Sequence, residues 1–187
     1  MPAALKTRAE ASAELLDLFR RRGYDGASLT DITAAVGLGK GSLYHYFPGG
    51  KAEMAEAVLD AVDSWMASSI AAPLDEPRPP PARLAALLRT LSAFYQGGAQ
   101  ACILERLVAS VERDRFRRPL GRAFEAFIAA FQRLAVEAGV PARAARHRAE
   151  DAVAAIEGAL VLCAGLGQTA PFARALRNIE ATLLAAG

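Results

Sequence analysis

The sequence predicts an all-α protein of about nine helices, and three observations support this. Apolar residues make up 53% of the chain, led by alanine and leucine, while aromatics are only 7%, which suits packed helices better than a β-sandwich. Apolar side chains recur at helical spacing along nearly the whole chain. Glycine and proline cluster between those segments, at Gly97-Gly98, Gly139-Val140-Pro141 and Gly167 to Pro171. A length of 187 residues allows one large domain or two small ones, with room for a sizeable core.

Each element has its own signal. Residues 7–22 carry Ala11, Leu15, Leu18 and Phe19 on one helical face. Arg20-Arg21-Arg22 followed by Gly23 is a helix stop, because cations complement the last turn and glycine ends it. Ser28-Leu29-Thr30-Asp31 resembles a capping box, with Asp31 in place of the usual Glu. A short helix follows, with Leu29, Ile32 and Val36 on one side, and Gly37 ends it. A second short helix spans about 39–47, and Pro48-Gly49-Gly50 breaks it. A long amphipathic helix is expected over 51–70. Residues 71–82 hold five prolines and read as a loop or spacer. Further helices are expected at about 82–97, 99–115, 118–138, 142–165 and 172–186, with Pro141 suited to a first helical turn.

The stretch GLGKGSLYHYF, Gly37 to Phe47, has three glycines within five residues. Two short helices joined by a glycine turn, after a longer helix, form a helix-turn-helix. Ile32 and Val36 face inward from the first helix, Leu38 plugs the turn, and Leu43 and Phe47 face inward from the second. Lys40, Gly41, Ser42, Tyr44 and His45 remain on the outward arc. The N-terminal turn of such a second helix enters the DNA major groove, and small residues there permit close approach. Gly39 and Gly41 each lower helix propensity by about 1 kcal/mol relative to alanine, a cost that packing and DNA can offset.

The segment SLTDITAAVGLGKGSLYHYFPGGKAEM closely resembles the DNA-binding signature of TetR-type transcriptional regulators, over about residues 7–55. The stretch EGALVLCAGLGQTAPFARALRNIEATL resembles the LmrA/YxaF-type multidrug-efflux repressors. Gly39 stands where the family often has a serine cap, and Thr33 where its motif usually has alanine. The resemblance implies a three-helix DNA-binding domain at 1–50 and a helical ligand-binding and dimerisation bundle at 51–187. It implies a dimer on a pseudo-palindromic operator, acting as a repressor released by a small apolar or aromatic ligand. Carried over by position, Lys40 contacts a base or phosphate, Ser42 and His45 read base edges, and Tyr44 meets a phosphate. Gly41 shares their arc, and Thr30 and Lys51 match contacts to the DNA backbone. Phosphate contacts fix register and base contacts fix sequence preference. Tyr46 is assigned to packing within the domain.

The remaining expectations concern the second domain. Its leucine stripes are mostly core. The effector is expected near Phe94, Tyr95, Phe127 and Phe131, with Leu91, Cys102, Leu107 and Trp65 nearby. The dimer interface is expected on the last two helices, at Ala155, Ile156, Ala159, Leu160 and Leu183, where small residues let helices approach closely.

Other classes are disfavoured. Residues 1–60 hold seven Lys/Arg against eight Asp/Glu, so DNA binding must rest on a local basic face. A helical interaction protein that binds no DNA is the nearest non-catalytic rival. No phosphate loop, HExxH or CxxC spacing is present, and adjacent carboxylates such as Glu150 and Asp151 point apart on a helix, so no enzyme, metal or cofactor is expected. His147 lies among arginines on a solvated face, and Cys102 and Cys163 read as reduced core residues. With no signal-like N-terminal run and no apolar stretch long enough to cross a bilayer, a cytoplasmic protein without membrane contact is expected.

Overall fold

The computed structural model describes residues 6–185. Residues 1–5 and 186–187, which include the start of the expected first domain and the last residue of the expected final helix, lie outside the described residues. Among the described residues there are nine α-helices and no strand. Packing divides the chain into two compact units, one of Met1–Ser64 with Ile103–Leu120 and the other of Trp65–Cys102 with Gly121–Gly187.

The first unit begins with α1, Arg8–Arg22. Its start is a full capping box: the Glu10 N–H donates to the Thr7 hydroxyl at 3.2 Å, and the Thr7 N–H donates to the Glu10 carboxylate at 2.7 Å. Ala11, Leu15, Leu18 and Phe19 are buried, and Gly23, at φ 73°, ends the helix with its N–H on the Phe19 carbonyl. Helix α2 is Leu29–Val36, α3 is Lys40–Tyr46, and α4 is Gly50–Met66. Met54, Ala55, Val58 and Leu59 of α4 are buried. By packing, therefore, α4 up to Ser64 stays with α1–α3, beyond the boundary expected at residue 50. Helix α6, Ile103–Val108, packs on α1.

Two expected helices are reshaped. The helix foreseen over 51–70 ends at Met66 and continues as a π-turn, Ala67–Ala71, then a 3-10 turn, Ala72–Asp75. Pro73 and Pro80 occupy first-turn positions, where a missing N–H costs no intrahelical bond, so the proline-rich loop is shorter than 71–82 and α5 is Pro80–Phe94. The helix foreseen over 99–115 contracts to α6. The Ser110 hydroxyl donates to the Leu107 carbonyl at 2.8 Å, and a turn at 110–113 leads into α7, Arg113–Glu137. Helix α7 carries Pro119 in its interior, and its first eight residues belong to the first unit.

In the second unit, α8 is Ala142–Leu166 and α9 is Ala170–Thr182, and these two pack on each other. Leu84, Leu91, Phe131, Leu134, Ile156, Leu160, Phe172 and Ile179 are buried there. Arg83, itself buried, donates to the Leu74 carbonyl at 2.5 Å and pairs with Glu137, while Arg133 pairs with Asp75 at 2.8 Å. Together they fix the 72–75 turn against α5 and α7. Gly98, at φ 102°, lies so close to Phe172 that an added Cβ would sit 2.7 Å from the phenylalanine Cβ. Both cysteines are buried, and neither forms a disulfide among the described residues. No described helix is long and apolar enough to cross a membrane.

Candidate nucleic-acid interface

Helices α2 and α3 form the helix-turn-helix. The Asp31 N–H donates to the Ser28 hydroxyl at 3.1 Å and the Ser28 N–H to the Asp31 carboxylate at 3.0 Å, closing the expected capping box. The Ser28 hydroxyl and N–H hold the Asp31 carboxyl below its ordinary value, with Arg22, 3.1 Å away, adding to the effect. Gly37 ends α2 in the left-handed region at φ 66°, ψ 22°, its N–H on the Thr33 carbonyl. Ile32, Val36, Leu43 and Phe47 are fully buried, which seats a seven-residue helix too short to persist alone. Gly39 begins α3 without a side-chain cap.

This packing turns one arc of α3 outward. Lys40, Gly41, Ser42, Tyr44 and His45 are all exposed, and Thr30 on α2 is exposed too. Tyr44 leaves 46% of its surface open on this arc. Tyr46 points elsewhere and its hydroxyl donates to the Lys6 carbonyl at 2.5 Å, the packing role assigned to it. Lys51 differs from the others. It is half-buried, its ammonium lies 4.6 Å over the Tyr24 ring, and it donates to the Asp25 carbonyl at 3.3 Å. Burial pulls its pKa down, and burial followed by the nearby Glu112 carboxylate pushes the Tyr24 phenol up to about 12. Sequence reasoning missed Tyr24 and Asp25, since nothing in their spacing announces a lysine partner.

The expected effector residues fall into separate places. In the second unit Trp65 stacks on Phe94 at 3.7 Å, Phe94 meets Tyr95 edge-on at 5.1 Å, and Tyr95 meets Phe172 at 5.7 Å. The Tyr95 hydroxyl lies 3.5 Å from the Cys102 sulfur, and Leu91 is buried. Phe127 and Phe131 form a second pair at 5.5 Å. Leu107 belongs to the first unit. Phe172 was not foreseen, its one sequence signal being a bulky apolar residue just after Pro171. Two clefts of the second unit have other linings. One, of about 420 Å³, includes Arg148, Asp151 and Asn178, and one of about 330 Å³ includes Gly98, Gln100 and Cys163.

The expected interface residues differ in their exposure within the single chain. Ile156, Ala159, Leu160 and Leu183 are buried inside the single chain, where α8 and α9 pack, and only Ala155 is exposed. The face α8 leaves open instead carries Gly158, Val161, Leu162, Gly165 and Leu166. Val161, Leu162 and Leu166 each expose more than half of their surface. The sequence pattern shows a helix apolar on most sides but not which side its own chain covers.

A family model of bacterial regulatory proteins, tetR family, matches residues 13–58. The model of the transcriptional regulator LmrA/YxaF-like C-terminal domain matches residues 80–178. The HTH-type transcriptional repressor DhaR of Mycobacterium sp. (strain GP1) is 30% identical over 73% of this chain and 69% of its own. The HTH-type transcriptional regulator LmrA of Bacillus subtilis is 26% identical over 78% of this chain and 79% of its own. Among solved structures, a TetR transcriptional regulator from Legionella pneumophila superposes with a TM-score of 0.83 at 18% identity, covering 97% of this chain and 99% of that one. At that identity the likeness is one of fold.

Proposed function

The chain belongs to the TetR family of bacterial regulatory proteins, with an LmrA/YxaF-like C-terminal domain, and from that premise we propose that it is a repressor whose operator grip is released by a small ligand. It is a transcriptional regulator and not an enzyme. The observation that carries the reading is the exposed row Lys40, Gly41, Ser42, Tyr44 and His45 on a helix whose other side is locked by Leu43 and Phe47. In this reading Lys40 and Tyr44 contact phosphates or bases, Ser42 and His45 read base edges in the major groove, and Thr30 and Lys51 contact the sugar–phosphate backbone. In this reading residues 1–50, with Lys51 just beyond them at the start of α4, contact DNA, and the rest of 51–187 serves ligand binding and dimerisation.

One helix-turn-helix makes few base contacts, so two copies reading a pseudo-palindrome are proposed. The apolar strip Val161, Leu162 and Leu166, flanked by Ala155, Gly158 and Gly165, supports association through α8, because small residues beside exposed branched ones admit a second helix closely. The aromatic chain Trp65–Phe94–Tyr95–Phe172 supports an apolar or aromatic effector in the second unit. Such a ligand acts by preferring the conformer that does not fit DNA, and a thousandfold preference corresponds to about 4 kcal/mol.

The test is retention of the purified protein on DNA from around its own gene, read by fluorescence anisotropy over a range of salt. Lys40→Ala and Tyr44→Phe should weaken binding. Lys51→Ala should weaken all sequences alike and flatten the salt slope by about one unit for each phosphate it leaves without a cation. Equal affinities for the wild type and all three variants would remove the interface from α3.

A further inference from the structure

We propose that Asp25 is a positioning residue for the Lys51 phosphate contact, held in place by the backbone N–H of Val111 in the turn between α6 and α7. The proposal rests on the reading of Lys51 as a DNA contact given above.

The groups that hold the Lys51 ammonium come from two adjacent residues. The Tyr24 ring lies beneath it at 4.6 Å and the Asp25 carbonyl accepts from it at 3.3 Å. Both residues are fastened from the same distant segment. The Asp25 carboxylate accepts the Val111 N–H at 3.0 Å, and the Tyr24 ring meets Phe116 of α7 edge-on at 5.3 Å. Arg115, between them in sequence, pairs with Glu56 on α4 at 2.9 Å. The Val111 side chain is 86% exposed, so its backbone N–H is what this residue offers the fold.

The consequence concerns ordering. An ammonium has three donors, and the Asp25 carbonyl uses one, which leaves others for a phosphate oxygen. A lysine on a free surface must be ordered when it binds, whereas this one is already confined to a ring face and a carbonyl. Removing that confinement should lower affinity about two- to tenfold for each subunit's Lys51. The segment that supplies the confinement, residues 103–120, is continuous at both ends with the second unit.

Val111→Pro isolates the link. The Arg113 N–H bonds the Ser110 carbonyl at 3.3 Å, which makes Val111 the second residue of a four-residue turn, a position that favours proline. The variant keeps the turn and deletes the N–H that Asp25 accepts. Full-length protein is titrated, by anisotropy, onto the DNA fragment that the wild type selects from a random pool. Four proteins are compared: wild type, Val111→Pro, Lys51→Ala and the double variant. The expected result is a two- to tenfold loss per site for Val111→Pro beside Lys51, and almost none once Lys51 is alanine. Asp25→Asn, which still offers a side-chain carbonyl to Val111, should bind as well as the wild type or better. Independent, multiplicative losses from the two single variants would overturn the inference, as would an unchanged affinity for Val111→Pro. If Val111→Pro fails to fold by circular dichroism, Asp25→Ala in both Lys51 backgrounds reads the same coupling. If Lys51→Ala alone leaves affinity untouched, the assignment of Lys51 as a contact fails first, and the inference falls with it.

Discussion

Gly41→Ala separates the two reasons a glycine can stand in a helix. Gly41 is the second residue of α3, and a Cβ built there meets no atom within 4 Å. Its φ is not positive, so alanine adds no backbone strain. In the free protein the substitution should therefore stabilise α3 by about 0.8–1 kcal/mol, the propensity difference between the two residues. For a chain of this length that raises Tm by about 2–4 °C. On DNA the same methyl group projects from the exposed arc into the proposed contact. Crowding of a packed interface costs about 1–3 kcal/mol, so operator affinity should fall at least about fivefold while the protein becomes more stable. Thermal unfolding by circular dichroism and anisotropy on one preparation read both numbers. A variant that is more stable and binds as tightly as the wild type would refute the argument that glycine permits close approach. A destabilised variant would refute the description of the free helix.

Other expectations concern the second unit and the caps. Leu160→Glu should cost about 4 kcal/mol or more, because it places an unpaired charge in the chain's own core, whereas Leu162→Glu should leave the fold intact and lower self-association in sedimentation; the reverse pattern would move the open face of α8. Gly98→Ala should destabilise by about 1–3 kcal/mol or more, from a disfavoured φ and contact with Phe172, and an unchanged Tm would contradict the packing described there. Hydrogen bonds from Ser28 hold the Asp31 carboxyl below its ordinary value, so its contribution to α2 is fully present above the ordinary value and is lost as pH falls through the depressed one; an NMR titration of its carboxyl in the ordinary aspartate range or higher would contradict the capping box.

The parts of the fold legible in the sequence were those governed by neighbours along the chain. Thr7 with Glu10, Ser28 with Asp31, and Gly37 after Val36 are local rules, and α1–α3 follow from them. The exposed arc of α3 was legible because Leu43 and Phe47, four residues apart, fix which side is in. Tertiary competition decided the rest. Leu160 and Leu162 are equally apolar, yet one is 3% exposed and the other 51%, because the rest of the chain covers only one side of α8. The break of α4 into π and 3-10 turns is tied to Arg83 and Arg133, which bind Leu74 and Asp75 from elsewhere in the chain. The tie between Asp25 and Val111 joins residues 86 positions apart, beyond the reach of any periodicity.

The central claim is that α3 reads DNA sequence, and His45 tests it most directly. The wild type and His45→Ala are each used to select binding sites from a pool of random double-stranded DNA. A pseudo-palindrome with half-sites about one helical turn or a multiple apart is predicted for the wild type. For His45→Ala the preference should relax at one symmetry-related position in each half-site, with discrimination there reduced by about 1–3 kcal/mol and the flanking preference kept. Recovery of no sequence preference by the wild type, or of an identical preference by the variant, would contradict the account.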